Sequence, residues 1–343
     1  MHMADALVSP AVGMAMNTIS VAAIGLSVAT VKKDELGENK VPIMGVAGAL
    51  VFAGQMINFT IPATGSSGHI GGGILLAGLL GGVPAFLSIA AVLIIQCLFF
   101  ADGGILALGC NIFNLGAIPC LFVYPLIFKP LIKSGSDYRR LSIASILAVI
   151  IGLQLGAFAV VLQTLFSGIT VLPFGTFAAL MLPIHLVIGI VEGIVTAAVL
   201  CFVYKMRPEI IDDSVSPGER LGGVSTKKLI IALVALTVVV GGALSLFVST
   251  NPDGLEWAIS KTMEKVVGVE TAPEAGGGIF DGAAGLRESV AFLPDYAFPS
   301  DPENPAGTSV SGLIGAAITF VFAGATGFVI SRTKKRKKVL ANV

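Results

Sequence analysis

Charge is scarce in this chain. Asp, Glu, Lys and Arg make up 12% of its 343 residues, about half the share of a soluble globular domain. That shortage excludes an ordinary water-soluble fold. Hydrophobic residues reach 55% and mean hydropathy is +0.92. Apolar runs of roughly 20 residues recur, each long enough to cross a hydrocarbon core. Cysteine is also sparse. Cys97, Cys110, Cys120 and Cys201 all lie in apolar segments without CxxC spacing, which excludes a disulfide framework or a zinc ribbon and leaves them as small packing residues. No G-x-x-x-x-G-K-[ST] phosphate loop occurs, so no ATPase of that type is expected in the chain. No nucleic-acid partner is expected either. What the chain has in quantity is glycine, 42 residues, which suits close helix–helix approach in lipid.

The spans expected are 11–30, 41–60, 72–84, 85–101, 105–128, 141–166, 178–204, 228–249 and 310–330. The pair 72–84 and 85–101 is one apolar stretch interrupted by Gly81, Gly82 and Pro84. A secretory signal carries positive charge before its apolar core, whereas Lys32 and Lys33 follow the run 11–30. That run is therefore expected to be a retained first span with the N-terminus outside. Segments 31–40, 129–140, 205–228 and 331–343 then fall inside. They hold every Lys and Arg except Lys261, Lys265 and Arg287, as the positive-inside rule requires. Merging 72–101 into one helix would invert everything after it. The basic cluster Lys334 to Lys338 reads as an anchor at the inner surface. The expected fold class is an all-α polytopic membrane protein. Residues 1–204 form a seven-helix substrate-binding bundle with an extracytoplasmic N-terminus, and 205–227 a cytoplasmic linker. Residues 228–343 supply two further transmembrane helices flanking an acidic, partly irregular outer loop, 250–309. The C-terminus is expected in the cytoplasm.

Histidine occurs only three times, and two of the three places are unusual. His2 offers its ring, its own amide and the free amine of Met1 as three nitrogens already joined by short covalent links. Chelation closes a five-membered and a six-membered ring. His69, in the loop Thr64-Gly65-Ser66-Ser67-Gly68-His69, falls on the same outer side and is the candidate fourth ligand. Ni(II) and Cu(II) favour planar nitrogen donors, whereas Zn(II) prefers a tetrahedron. The expected ion is Ni(II), with Co(II) close behind.

Other constellations compete. Gly65-Ser66-Ser67-Gly68 has the G-x-S-G pattern of intramembrane serine proteases, with His185 as the base of a Ser67/His185 dyad. His185 and Glu192, seven residues apart, share one helix face, and ionisable groups within a span are usually functional or paired. Asp102, Asn111, Asn114, Gln55, Asn58 and Gln96 are polar groups in apolar context. They serve either interhelical hydrogen bonding or support of a metal ligand. A secondary ion-coupled transporter would show internal repeats with paired broken helices, and none is evident.

Four blocks resemble a known family in the family's own order. They are Met1-His2-Met3 with Asp5 and Ser9-Pro10, the loop Gly65 to His69, Ala101-Asp102-Gly103-Gly104 with Gly109 and Asn111, and His185 to Glu192. Over about 1–205 the chain is similar to the substrate-specific M component of nickel/cobalt energy-coupling-factor transporters (the CbiM/NikM family). Asn251-Pro252-Asp253-Gly254-Leu255-Glu256 and Leu293 to Pro299 resemble the accessory N component (NikN, PDGLE-like), so the chain looks like an M–N fusion. The resemblance implies a metal held by the Met1 amine, the amide and ring of His2, and His69. It also implies a transmembrane coupling (T/Q) subunit and cytoplasmic ABC-type ATPase (O) subunits in a prokaryotic cell membrane, with Ni(II) or Co(II) as transported substrate. A cobalt-specific importer serving cobalamin synthesis is the nearest alternative. Cobalt relatives often carry a Cys in the loop that here reads Gly-Ser-Ser-Gly-His, a difference that favours nickel.

Overall fold

Pro10 behind the N-cap Ser9 starts the first helix, α1 (Pro10–Thr30), with Ser9 Oγ accepting from Val12 N at 3.4 Å. The computed structural model describes residues 1–31, 40–132, 137–211, 225–268 and 277–340. Most of the expected linker, 212–224, lies outside the described residues, as do Lys32, Lys33, Lys133, Arg220, Gly276 and the side chains of Lys334 to Lys338. The chain continues through α2 (Lys40–Gln55), a two-stranded antiparallel hairpin β1 (Phe59–Ile61) and β2 (Ser66–Gly68), α3 (Gly73–Leu80) and α4 (Gly82–Phe99). Then come α5 (Leu108–Leu131), α6 (Tyr138–Ser167), α7 (Phe174–Met206) and α8 (Thr226–Phe247). Two shorter helices, α9 (Gly254–Val267) and α10 (Ile279–Val290), precede the last helix, α11 (Ala306–Leu340).

Seven of these helices are long and apolar enough to cross a membrane: α1, α4, α5, α6, α7, α8 and α11. Their outward faces carry the large exposed apolar side chains, such as Leu26, Phe166, Ile194 and Val321. In a bilayer these face lipid rather than water. The chain is thus an all-helical polytopic membrane protein, apart from the hairpin.

Two expected spans need correction. The span 72–84 is only the eight-residue helix α3, buried at every position and too short to cross a bilayer by itself. The break sits at Gly81 and not after Pro84. Gly81 takes φ +87°, a region open to glycine at no steric cost. Pro84 falls in the first turn of α4, where a missing N–H leaves no helix bond unmade. The span 41–60 ends at Gln55, and the chain then turns into the hairpin. The outer loop 250–309 is less irregular than expected, since it holds α9 and α10. Asp253 and Glu256 close a capping box at the start of α9, which satisfies two orphan N–H groups at once.

α6 and α7 form the most extensive helix pair, and α2 lies along α11. Small residues set these approaches. A Cβ at Gly312 would stand 3.1 Å from Gly241 carbonyl carbon, where α8 meets α11. α5 runs with π-helical pitch from Phe113 to Phe128 around Pro119 and Pro125. Proline has no N–H to donate and clashes with the preceding turn, so the helix widens locally.

Candidate metal centre

The N-terminal segment is packed inside the bundle. Met1 and Met3 are buried among core side chains. Met3 N donates to Asn111 Oδ1 at 2.8 Å, and Asn111 Nδ2 returns a bond to Met3 O at 3.2 Å. Gly104 N also donates to Met3 O at 3.0 Å. Asp5 accepts from Ile105 N (3.2 Å) and Ala107 N (3.0 Å). The loop between α4 and α5 therefore acts as a template that pairs with residues 3–5. Gly104 is needed there, because a Cβ on it would overlap the Asp5 carboxylate. Gly104→Ala is expected to displace the N-terminal segment at a cost of about 1–3 kcal/mol. Acylation of the Met1 amine by a water-soluble active ester reads it out. Labelling that stays as slow as in the wild type would refute the template role.

The segment delivers the Met1 amine to His69. The amine nitrogen lies 2.9 Å from His69 Nε2 and 2.7 Å from Asp253 Oδ2. His69 Nδ1–H donates to Ile70 O at 3.1 Å. That bond fixes the tautomer and leaves the Nε2 lone pair facing the amine. The His2 and His69 rings stack, with centroids 5.2 Å apart and planes at 4°. His2 Nδ1 stands 3.1 Å from Asp102 Oδ1, and Tyr296 Oη donates to Asp102 Oδ2 at 2.5 Å.

Charge follows the geometry. Burial and the adjacent Met1 ammonium both push the His69 pKa down, so its ring is neutral and carries a free lone pair at neutral pH. For Asp253, burial alone would favour the protonated acid. The Met1 ammonium and His69 outweigh it and hold this carboxyl well below the usual range. Asp102 is likewise held down, against burial, by His2 and by the Tyr296 hydroxyl.

The loop after His69 is clamped from below. Glu192, on α7, accepts from Gly71 N and Gly72 N at 2.8 Å each, and Gln55 Nε2 donates to Gly71 O at 2.8 Å. Gly72 is the N-cap of α3. A carboxylate there meets the positive end of the helix dipole and two otherwise unpaired amides. Glu192 therefore positions the His69 loop.

The competing constellations do not assemble. Ser67 Oγ donates to Asn251 O at 2.8 Å, so its proton is committed to a carbonyl. No hydrogen bond joins it to His185 among the described residues, so the alternative Ser67/His185 dyad is not joined there. His185 and Glu192 share a buried face of α7 but bind different partners. His185 Nδ1–H donates to Met181 O at 2.8 Å. Asn114 pairs with Gln163 through reciprocal amide bonds of 2.8 and 3.0 Å. Gln96 is fully buried on α4, and its main-chain carbonyl accepts from Asp102 N at 3.1 Å.

Two residues of the centre escape sequence reasoning. Asp253 and Tyr296 lie in the two blocks that resemble the accessory component, and nothing local links either to residues 1, 2 or 102. Among the described residues no three His, Cys, Asp or Glu side chains converge to hold a metal. An ion held between the Met1 amine and His69 would need main-chain nitrogen among its donors. The donor set fits that demand. In a square plane with metal–nitrogen bonds of about 2.0 Å, neighbouring donors are about 2.8 Å apart, close to the 2.9 Å between the Met1 amine and His69 Nε2.

Comparison with known proteins gives a consistent result. A family described as the cobalt uptake substrate-specific transmembrane region matches residues 2–210, and a PDGLE domain matches residues 227–332. A fused NikMN protein of Archaeoglobus fulgidus is 32% identical over 340 residues, covering 97% of this chain and 98% of that one. The fused nickel transport protein NikMN of Rhodobacter capsulatus is 28% identical, covering 98% and 99%. The crystal structure of a truncated transition metal transporter superposes with a TM-score of 0.52 at 28% identity, over 60% of this chain and 99% of that one. With its N-terminal 2–210 matched in this way, the chain belongs to the family of cobalt uptake substrate-specific transmembrane proteins and carries a PDGLE domain behind that region.

Proposed function

We propose that this chain is the substrate-capture component of an ATP-driven Ni(II)/Co(II) uptake transporter, with nickel favoured. Residues 1–204 form the metal-binding part, 205–227 a cytoplasmic linker and 228–343 the accessory part with its outer loop 250–309. The Met1 amine, the His2 amide and ring Nδ1, and His69 Nε2 hold the ion in a plane. The observation that carries this reading is the buried Met1 amine at 2.9 Å from His69 Nε2. The relatives named as nickel transport proteins support the substrate class.

Capture proceeds by exchange of protons for metal. The Met1 ammonium gives up a proton as the metal takes its lone pair, and the His2 amide gives up another. The His69 ring has none to lose. His2 Nδ1 turns from Asp102 to the ion, its proton passing to Nε2 by tautomer exchange through solvent, and Asp102 is placed to accept that Nε2–H, an arrangement that raises the basicity of the ligand. Energy for release comes from partner ATPase (O) subunits acting through a transmembrane coupling (T/Q) subunit. The N-terminus lies outside the cell membrane and the C-terminus in the cytoplasm.

Two protons leave per ion, so the apparent affinity for Ni(II) is expected to rise about 100-fold per pH unit while both groups start protonated. Titration of the purified chain across pH 6–8 measures it. A pH-independent affinity would remove the amine and amide from the ligand set. His69→Ala is expected to abolish the planar nickel spectrum, while Ser67→Ala retains it. The opposite pattern would favour chemistry at Ser67.

A further inference from the structure

Beside the chelate lies a cavity of about 260 Å³, lined by His2, Gln55, Asp102, Asp253, Glu256 and Asp295 among others. Four of these six are carboxylates. Asp253 is paired with the Met1 amine, and Asp102 with His2 and Tyr296. Glu256 and Asp295 have no ion-pair partner among the described residues.

Three buried polar atoms of residues lining the cavity are unpartnered among the described residues: Gln55 Oε1, Asn58 Oδ1 and His2 Nε2. Gln55 is 4% exposed, and its Oε1 accepts no hydrogen bond although its Nε2 is bound to Gly71 O. The His2 side chain is 8% exposed, and its Nε2 is likewise unpaired. Buried polar atoms without protein partners call for water or an ion. The room is adequate: six waters at about 30 Å³ each take up about 180 Å³. Among the described residues, no three carboxylate or imidazole groups are close enough to bind an ion directly. The cavity therefore suits an ion that keeps its water shell.

We propose that this cavity is a second cation site, in which a hydrated divalent ion is held through its water shell by Asp295, Glu256 and Gln55 Oε1 before it loses water to the Met1-His2-His69 chelate. The site rests on the reading of that chelate as the final acceptor. It divides capture into two steps. Outer-sphere attraction raises the local concentration of the ion, and ligand exchange then proceeds over the short distance to the amine. Two carboxylates in a partly enclosed cavity concentrate cations in this way.

Hexaamminecobalt(III) tests the site by itself. It matches a hexaaqua dication in shape, and its ammonia ligands do not exchange, so it cannot form the chelate. The full chain should retain it in equilibrium dialysis, and Glu256→Gln with Asp295→Asn should lose about tenfold of that affinity. In the same double variant Ni(II) association should slow about tenfold, with an unchanged dissociation rate and an unchanged planar spectrum. Each single variant should lose part of the effect, which guards against a folding defect in the double one. Equal retention of hexaamminecobalt(III) by the wild type and the variants would overturn the proposal. So would equal nickel association rates. If the wild type forms no planar nickel complex, the chelate reading fails, and dialysis still decides the cavity.

Discussion

One residue added ahead of Met1 is expected to weaken Ni(II) binding by about 10³-fold or more, which is about 4 kcal/mol. The physical reason is specific to the donor set. An extra residue converts the Met1 amine into an amide, which can bind a metal only after losing a proton, and it moves the free amine one residue further along the chain from His69. It also removes the anchor that lets the neighbouring His2 amide exchange its proton for the ion. Packing adds to the loss. Met1 is 4% exposed, and the adjoining cavity, lined by Gly68, His69, His185 and Gly254, is about 10 Å³, no more than one water. The added residue would have to displace the chain from His69 and leave Asp253 without the ammonium 2.7 Å away. The measurement compares nickel titrations of the purified chain with an authentic Met1 and with one extra N-terminal residue. A yellow planar complex of one ion per chain in the first only is the expected outcome. Equal binding by both would place the ion elsewhere, with His185 and Glu192 next in line.

Replacing Glu192 with Ala is expected to cost about 2–6 kcal/mol of stability, because two buried amides, Gly71 N and Gly72 N, lose their acceptor at about 1–3 kcal/mol each. The α3 N-terminus loses its counter-charge at the same time. The effect reaches the metal through the loop. His69 is two residues from Gly71, and a loosened loop no longer holds Nε2 opposite the amine. Nickel affinity should fall about 10–100-fold, as for partners that orient metal ligands. Glu192→Gln keeps one acceptor oxygen and should recover part of both losses. Thermal unfolding in detergent and nickel titration give the two readouts. A Glu192→Ala chain that melts and binds like the wild type would remove the positioning role.

The sequence by itself determined the class of the molecule and the ligand candidates. Scarce charge and runs of apolar residues dictate membrane-spanning helices, because backbone polar groups in hydrocarbon must be satisfied within the segment. The break between α3 and α4 was legible in Gly81 and Gly82, since only glycine adopts positive φ at no cost. Met1 and His2 were legible as a candidate chelate because their donors are joined covalently, and no fold is needed to bring them together. His69 was legible from the rarity of histidine and from the side of the membrane its loop was assigned.

Only the tertiary structure decided what surrounds those ligands. Asp253 sits 252 residues from the Met1 amine it binds, and Tyr296 sits 194 residues from Asp102. Neither pairing leaves a local pattern, because a helix cap and a turn look the same whether or not their side chains also reach a distant group. The role of Glu192 was hidden for a related reason. Sequence spacing placed it on one face with His185, but a face does not name a partner, and the fold set two amides of the α3 N-terminus against it. The length of α3 was misjudged because apolar content does not separate a span from a short buried helix. Complete burial on all sides makes the same demand for apolar side chains as lipid does.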